Sequence, residues 1–142
     1  MFHKLKRSMM PLVVCVAFLS GCVSAQDGLN ENSQNQVQLR SIQTRSFEST
    51  DKQKIMQSSI ATLQDLEFVI DNADYDIGTI TATKLSGYQL EMSVSVRQNN
   101  QKEMLVRAVA RYNKTTIEDP KPYQSFFNSL SKGLFLDANT VN

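Results

Sequence analysis

Two runs of strict alternation, each about ten residues long and joined by a short polar turn, restrict the fold more than any other feature. In Tyr88 to Arg97, Leu90, Met92, Val94 and Val96 fall on one side, and Glu91, Ser93, Ser95 and Arg97 on the other. Glu103 to Asn113 repeats the pattern, with Met104, Val106, Ala108, Ala110 and Tyr112 against Arg107 and Arg111, and Gln98-Asn99-Asn100-Gln101 turns between the runs. A period of two sends successive side chains to opposite faces of a strand, so both runs read as antiparallel strands with one apolar and one wet face. The apolar face then needs a second layer to cover it.

Two segments with helical spacing can supply that layer. Thr50 as N-cap, Asp51 at the positive end of the helix dipole and Gln53 as capping-box partner open a helix whose stripe is Ile55, Met56, Ile60 and Leu63, ending near residues 64–66. Pro122 suits the first turn of a second helix with the stripe Tyr123, Phe126, Phe127, Leu130 and Leu134, and Gly133 offers an alternative stop. Between and before them, Val37 to Phe47 reads as a strand whose alternation slips between Leu39 and Ile42. Glu67 to Asp71 reads as a short strand, and Gly78 to Leu85 as a strand followed by the hairpin signal Ser86-Gly87. Residues 115–122 read as a loop because of their two prolines. The expected order is β-α-β-β-β-β-α: an α+β domain with an antiparallel sheet of four to five strands and two helices packed on one face.

The N-terminus points to location. Lys4, Lys6 and Arg7 precede an uncharged, mostly apolar run from Met9 to Leu19. As a helix that run is about 16 Å long, half of a ~30 Å hydrocarbon core, which is too short to span. It ends in Leu19-Ser20-Gly21-Cys22, which resembles the lipobox of bacterial lipoprotein precursors. The resemblance implies cleavage after Gly21, thioether lipidation of Cys22 and acylation of the new amine. Two or three acyl chains would anchor the protein durably, at about 0.8 kcal/mol for each buried methylene. In similar lipoproteins an Asp after the Cys retains the protein at the inner membrane; Val23 here implies the periplasmic face of the outer membrane. The competing reading is an ordinary secretory signal cut after Val23-Ser24-Ala25. Residues 1–21 are thus expected to be a signal peptide, 22–36 a lipidated Cys and flexible tether with a span of roughly 20 Å, and 37–142 a single domain.

Loss of residues 1–21 changes the available chemistry. The only His, His3, and one of the two cysteines, Cys15, leave with the signal, and lipid consumes Cys22. The remainder has no imidazole, no free thiol and no internal disulfide, so Cys/His zinc sites, Ser-His-Asp triads and Cys-His pairs are excluded. Three of the fifteen basic residues leave and none of the fourteen acidic ones, giving twelve against fourteen. Nucleic acid, which calls for a basic face and a pI above about 9, is not an expected partner.

Three groups of side chains stand out as candidates. Asp71, Asp74 and Asp76 suggest a metal site, but an EF-hand loop starting at Asn72 would need Gly at Ile77 and Glu at Thr83, so solvated turn carboxylates are expected instead. Arg97, Arg107 and Arg111 fall on the presumed open face, the last two about 13 Å apart, and could grip a partner's carboxylates or pair with Glu91 and Glu103. Phe126, Phe127, Leu130, Leu134, Phe135 and Leu136 exceed what one helix side needs, which leaves a groove for an acyl chain or a docking stripe beside ordinary core packing. Tyr88, Tyr112 and Tyr123 lack a neighbouring base to act as general acids. No metal and no cofactor is expected.

Residues 63–71, 78–84 and 123–127, with Phe135-Leu136, resemble a family of small proteobacterial outer-membrane lipoproteins, a likeness that covers most of the mature chain and carries no catalytic residues. The helix-on-sheet order is also similar to domains of envelope-assembly lipoproteins such as those of the outer-membrane β-barrel assembly complex. What this implies is a non-catalytic accessory or assembly subunit of an envelope transport or assembly machine, held by N-terminal acyl chains and working with an envelope protein partner. The alternative is a periplasmic carrier of lipid or a small hydrophobic ligand; a carboxylate-based enzyme ranks third.

Overall fold

The computed structural model describes residues 26–85 and 89–139, so the lipobox, Cys22, the Ser86-Gly87 hairpin signal and Tyr88 lie outside the described residues. The elements are α1 (Gln26–Gln43), β1 (Thr44–Glu48), α2 (Lys52–Asp65), β2 (Val69–Asp74), β3 (Thr79–Leu85), β4 (Gln89–Gln98), β5 (Glu103–Tyr112), β6 (Thr115–Thr116) and α3 (Lys121–Asn139). The order β-α-β-β-β-β-α is present, preceded by α1 and with the two-residue β6 inserted before the last helix. The fold is α+β. All pairings are antiparallel in the order β1-β5-β4-β3-β2, and β6 shares with β1 the outer edge of β5.

Because β1 and β2 lie at opposite edges, α2 must cross the sheet to connect them. It does so with Ile55, Met56 and Leu63 fully buried. Beside it α3 buries Tyr123, Phe126, Phe127 and Leu130. The facing strand residues are Ile80, Ala82, Met92, Val94, Val96, Met104, Val106, Ala108 and Ala110, which together with the helix stripes form one core. The short Ala108 and Ala110 of β5 leave room for the bulky α3 stripe, where Phe126 and Phe127 meet edge to face at 5.2 Å. Each fully buried large side chain contributes about 1.5–3 kcal/mol of transfer free energy.

Several sequence expectations need correction. Within the described residues, 26–36 of the expected tether and 37–43 of the expected strand form one helix from Gln26 to Gln43, and the strand runs from Thr44 to Glu48. Leu39 and Ile42, the point where alternation slipped, are three residues apart and pack together on the core as a helix face, while Val37 is exposed. The N-cap of α2 is Asp51, not Thr50: its Oδ1 accepts from the Lys54 backbone N–H at 2.9 Å. Residues 115–122 are not wholly loop, because Asn113 and Lys114, both at positive φ, make a two-residue turn that folds Thr115 and Thr116 back onto β5. Tyr112, expected inward, is 44% exposed at the end of the sheet. Gly133 does not stop α3, which runs on to Asn139.

Candidate functional site

Among the described residues no helix packs on the second face of the sheet, which is built largely from short hydroxyl side chains. Strand register aligns Arg107, Ser95, Thr79 and Asp74 in one row, Val109, Ser93, Thr81 and Asn72 in the next, and Arg111, Glu91 and Thr83 in a third. This produces a field of Thr79, Thr81, Thr83, Ser93 and Ser95 on one face, with arginines along β4 and β5 and carboxylates along β2.

The three arginines expected here do share this face, with different partners. Arg111 pairs with Glu91 at 3.3 Å, the two side chains 40% and 44% exposed, so the pair is solvent-screened and weak. Arg107 donates from Nη2 to the Gln43 Oε1 at 3.2 Å, reaching over the open stretch of β5 edge between β1 and β6. Arg97 is exposed on β4, in register with Leu105. Glu103, the other expected partner, instead accepts from the side-chain amides of Asn99 and Asn100 within the β4–β5 turn. The face therefore offers guanidinium groups against a hydroxyl background.

The aspartates are engaged in and around the β2–β3 hairpin, each with a different partner. Asp74 Oδ1 accepts from the Ile77 N–H at 2.9 Å, Asp71 Oδ2 accepts from the Thr83 hydroxyl at 2.6 Å, and the Asp76 carbonyl accepts from Lys52 Nζ at 2.8 Å. No group of three or more His, Cys, Asp or Glu side chains that could hold a metal ion occurs among the described residues.

On the helical side, a cavity of about 300 Å³ opens where the C-terminus of α2 and the N-terminus of α3 diverge. It is lined by Leu66, Phe68, Lys84, Leu90, Met92, Pro122 and Ser125. Sequence reasoning placed a groove under α3 but missed Lys84, which alternates with Ile80 and Ala82 and so points to the core side of β3. Its ammonium donates to the Leu66 carbonyl at 3.1 Å and pairs with Glu67 at 2.8 Å. Glu67 stands at φ +68° immediately after α2, where the Phe68 N–H reaches back to the Leu63 carbonyl and the Glu67 N–H to that of Gln64. This is a Schellman cap with a non-glycine residue in the left-handed position. The lysine, by binding the last carbonyl and the carboxylate, reinforces the negative end of the helix.

Compared with known proteins, the chain matches no protein-family model and no curated protein sequence. Among the described residues, no helix is long and apolar enough to cross a membrane.

Proposed function

We propose that this chain is a lipoprotein anchored through acyl chains on Cys22 to the periplasmic face of the outer membrane. There it serves as a non-catalytic accessory or assembly subunit of an envelope transport or assembly machine. The observation that carries this reading is Leu19-Ser20-Gly21-Cys22 at the end of a short apolar run behind Lys4, Lys6 and Arg7. A contact role is supported by the sheet face that no described helix covers, where Arg97, Arg107 and Arg111 stand among small hydroxyls that cost little to approach. Guanidinium groups there would pair bidentately with carboxylates of an envelope protein.

Radiolabelled palmitate should enter the wild-type chain and not Cys22→Ser, and the variant should leave the membrane fraction. Equal membrane retention of the variant would sink the anchor. Crosslinking in whole envelopes should capture a defined protein with the wild type, and Arg107→Ala/Arg111→Ala should lose it. Unchanged capture would remove the sheet face from the interaction.

A further inference from the structure

We propose that the cavity between α2, α3 and the β3–β4 end of the sheet is a binding site for a small apolar monocarboxylate. The apolar body lies among Leu66, Phe68, Leu90 and Met92, and the carboxylate sits on the Lys84 ammonium in the place Glu67 holds. This site is independent of the anchor and of the open sheet face.

Three observations carry it. The cavity exists because α3 turns its large stripe, Tyr123, Phe126, Phe127 and Leu130, into the core while presenting only Pro122 and Ser125 here. The walls are apolar, with Met92 and Phe68 buried at 1% and 7% exposure, and a volume near 300 Å³ has room for about ten water-sized groups. That lies at the small end of the range for ligand sites, which pair an apolar lining with a few polar groups that fix orientation. Second, the polar group is a lysine on a strand position of core parity, its side chain 27% exposed and its charge held at the cavity wall. Third, its present counter-ion can be exchanged: the Glu67 side chain is 80% exposed, so its carboxylate can turn into water while the capping hydrogen bonds of its backbone stay in place. A ligand carboxylate would gain the same charge-assisted hydrogen bond and release Glu67 to water.

Charge complementarity selects an anion, and the single cation selects a monocarboxylate over a dianion. Medium-chain fatty acids and compact aromatic acids share this chemistry, and their relative affinities distinguish them.

The test is methyl NMR of the full chain as purified, with ¹³C-labelled methionine methyls. Met92 reports the cavity and Met56, buried in α2, reports the fold. Decanoate should shift the Met92 signal saturably and leave Met56 in place. Decanol should bind at least tenfold more weakly, and decyltrimethylammonium not at all. Glu67→Gln should tighten decanoate binding severalfold, Lys84→Met should weaken it at least tenfold, and Lys84→Arg should preserve it. Ser125→Phe, at an exposed helix position, should block the cavity without disturbing Met56. Phenylacetate in place of decanoate ranks the aromatic class. Absence of a saturable Met92 shift with either acid overturns the proposal, as do equal affinities for decanoate and decanol or an effect untouched by Lys84→Met.

Discussion

The Gln43 side-chain amide donates a hydrogen bond to the Tyr123 hydroxyl at 3.3 Å, joining the last residue of α1 to the first turn of α3 across eighty positions of sequence. The hydroxyl also accepts from the Ala110 N–H at 3.3 Å and donates to the Ile117 carbonyl. It thereby satisfies the Ala110 N–H on the β5 edge between β1 and β6, while the Ala110 carbonyl accepts from the Ile117 N–H at 2.9 Å. The other end of the Gln43 amide accepts from Arg107, so one buried glutamine ties the helical layer to the open sheet face.

Tyr123→Phe removes the hydroxyl and strands the Ala110 N–H and the Gln43 amide in a fully buried place. Unsatisfied buried groups cost about 1–3 kcal/mol each, so the variant should lose about 2–3 kcal/mol in urea unfolding. Gln43→Ala combined with Tyr123→Phe should cost less than the sum of the single changes, because both act on one network.

Gly78→Ala should be among the most damaging single-methyl additions. Gly78 holds φ +80°, and a Cβ there would lie 2.5 Å from the Val96 carbonyl oxygen, which is backbone and cannot turn away. Left-handed strain of about 1–2 kcal/mol and overpacking of about 1–3 kcal/mol predict a loss of about 3 kcal/mol, read as a lowered Tm by circular dichroism.

Ser59→Ala should do the reverse. The Ser59 hydroxyl is fully buried in α2 and finds no hydrogen-bond partner among the described residues. Replacing it removes a desolvated polar group and improves helix propensity, a gain of about 1 kcal/mol. Ser58→Ala is the control: its hydroxyl donates to Asp137 at 3.3 Å, so the same substitution there severs a bond between α2 and α3 and should give no gain. Denaturant midpoints of the two variants measure the difference.

Glu67 titrates below the ordinary glutamate range, because the Lys84 ammonium first hydrogen-bonds and then attracts its carboxylate, against a smaller opposing effect of desolvation. A carboxyl with its folded pKa depressed adds stability above its unfolded pKa and loses it as pH falls through the folded value. The Glu67–Lys84 contribution should therefore be intact at neutral pH and fade on acidification below the ordinary glutamate range. Carboxyl NMR titration should place Glu67 lower than an exposed glutamate, and Lys84→Met should bring it back up.

The elements with strong local periodicity were legible without coordinates. Ile55, Met56 and Leu63 on α2, the alternating runs of β4 and β5, and the aromatic stripe of α3 all lie where spacing puts them. The helix α1 was not, because the apolar side chains that its described residues 33–43 pack on the core are Leu39 and Ile42, and two apolar residues three apart also fit a strand with a bulge. The Asn113-Lys114 turn lacked the glycine that usually marks a two-residue hairpin, so β6 was hidden.

Sequence alone determined the layering of this protein and the absence of His and Cys from residues 23–142, since alternation, helical spacing and residue content are local properties. Tertiary structure decided the remainder: that Gln43 meets Tyr123 and Arg107, that Lys84 turns inward beside Glu67 and an apolar cavity, and that Ser/Thr rows align on one face. Those pairings depend on strand register and on where α2 and α3 cross the sheet, which distant segments settle jointly when they bury the shared core.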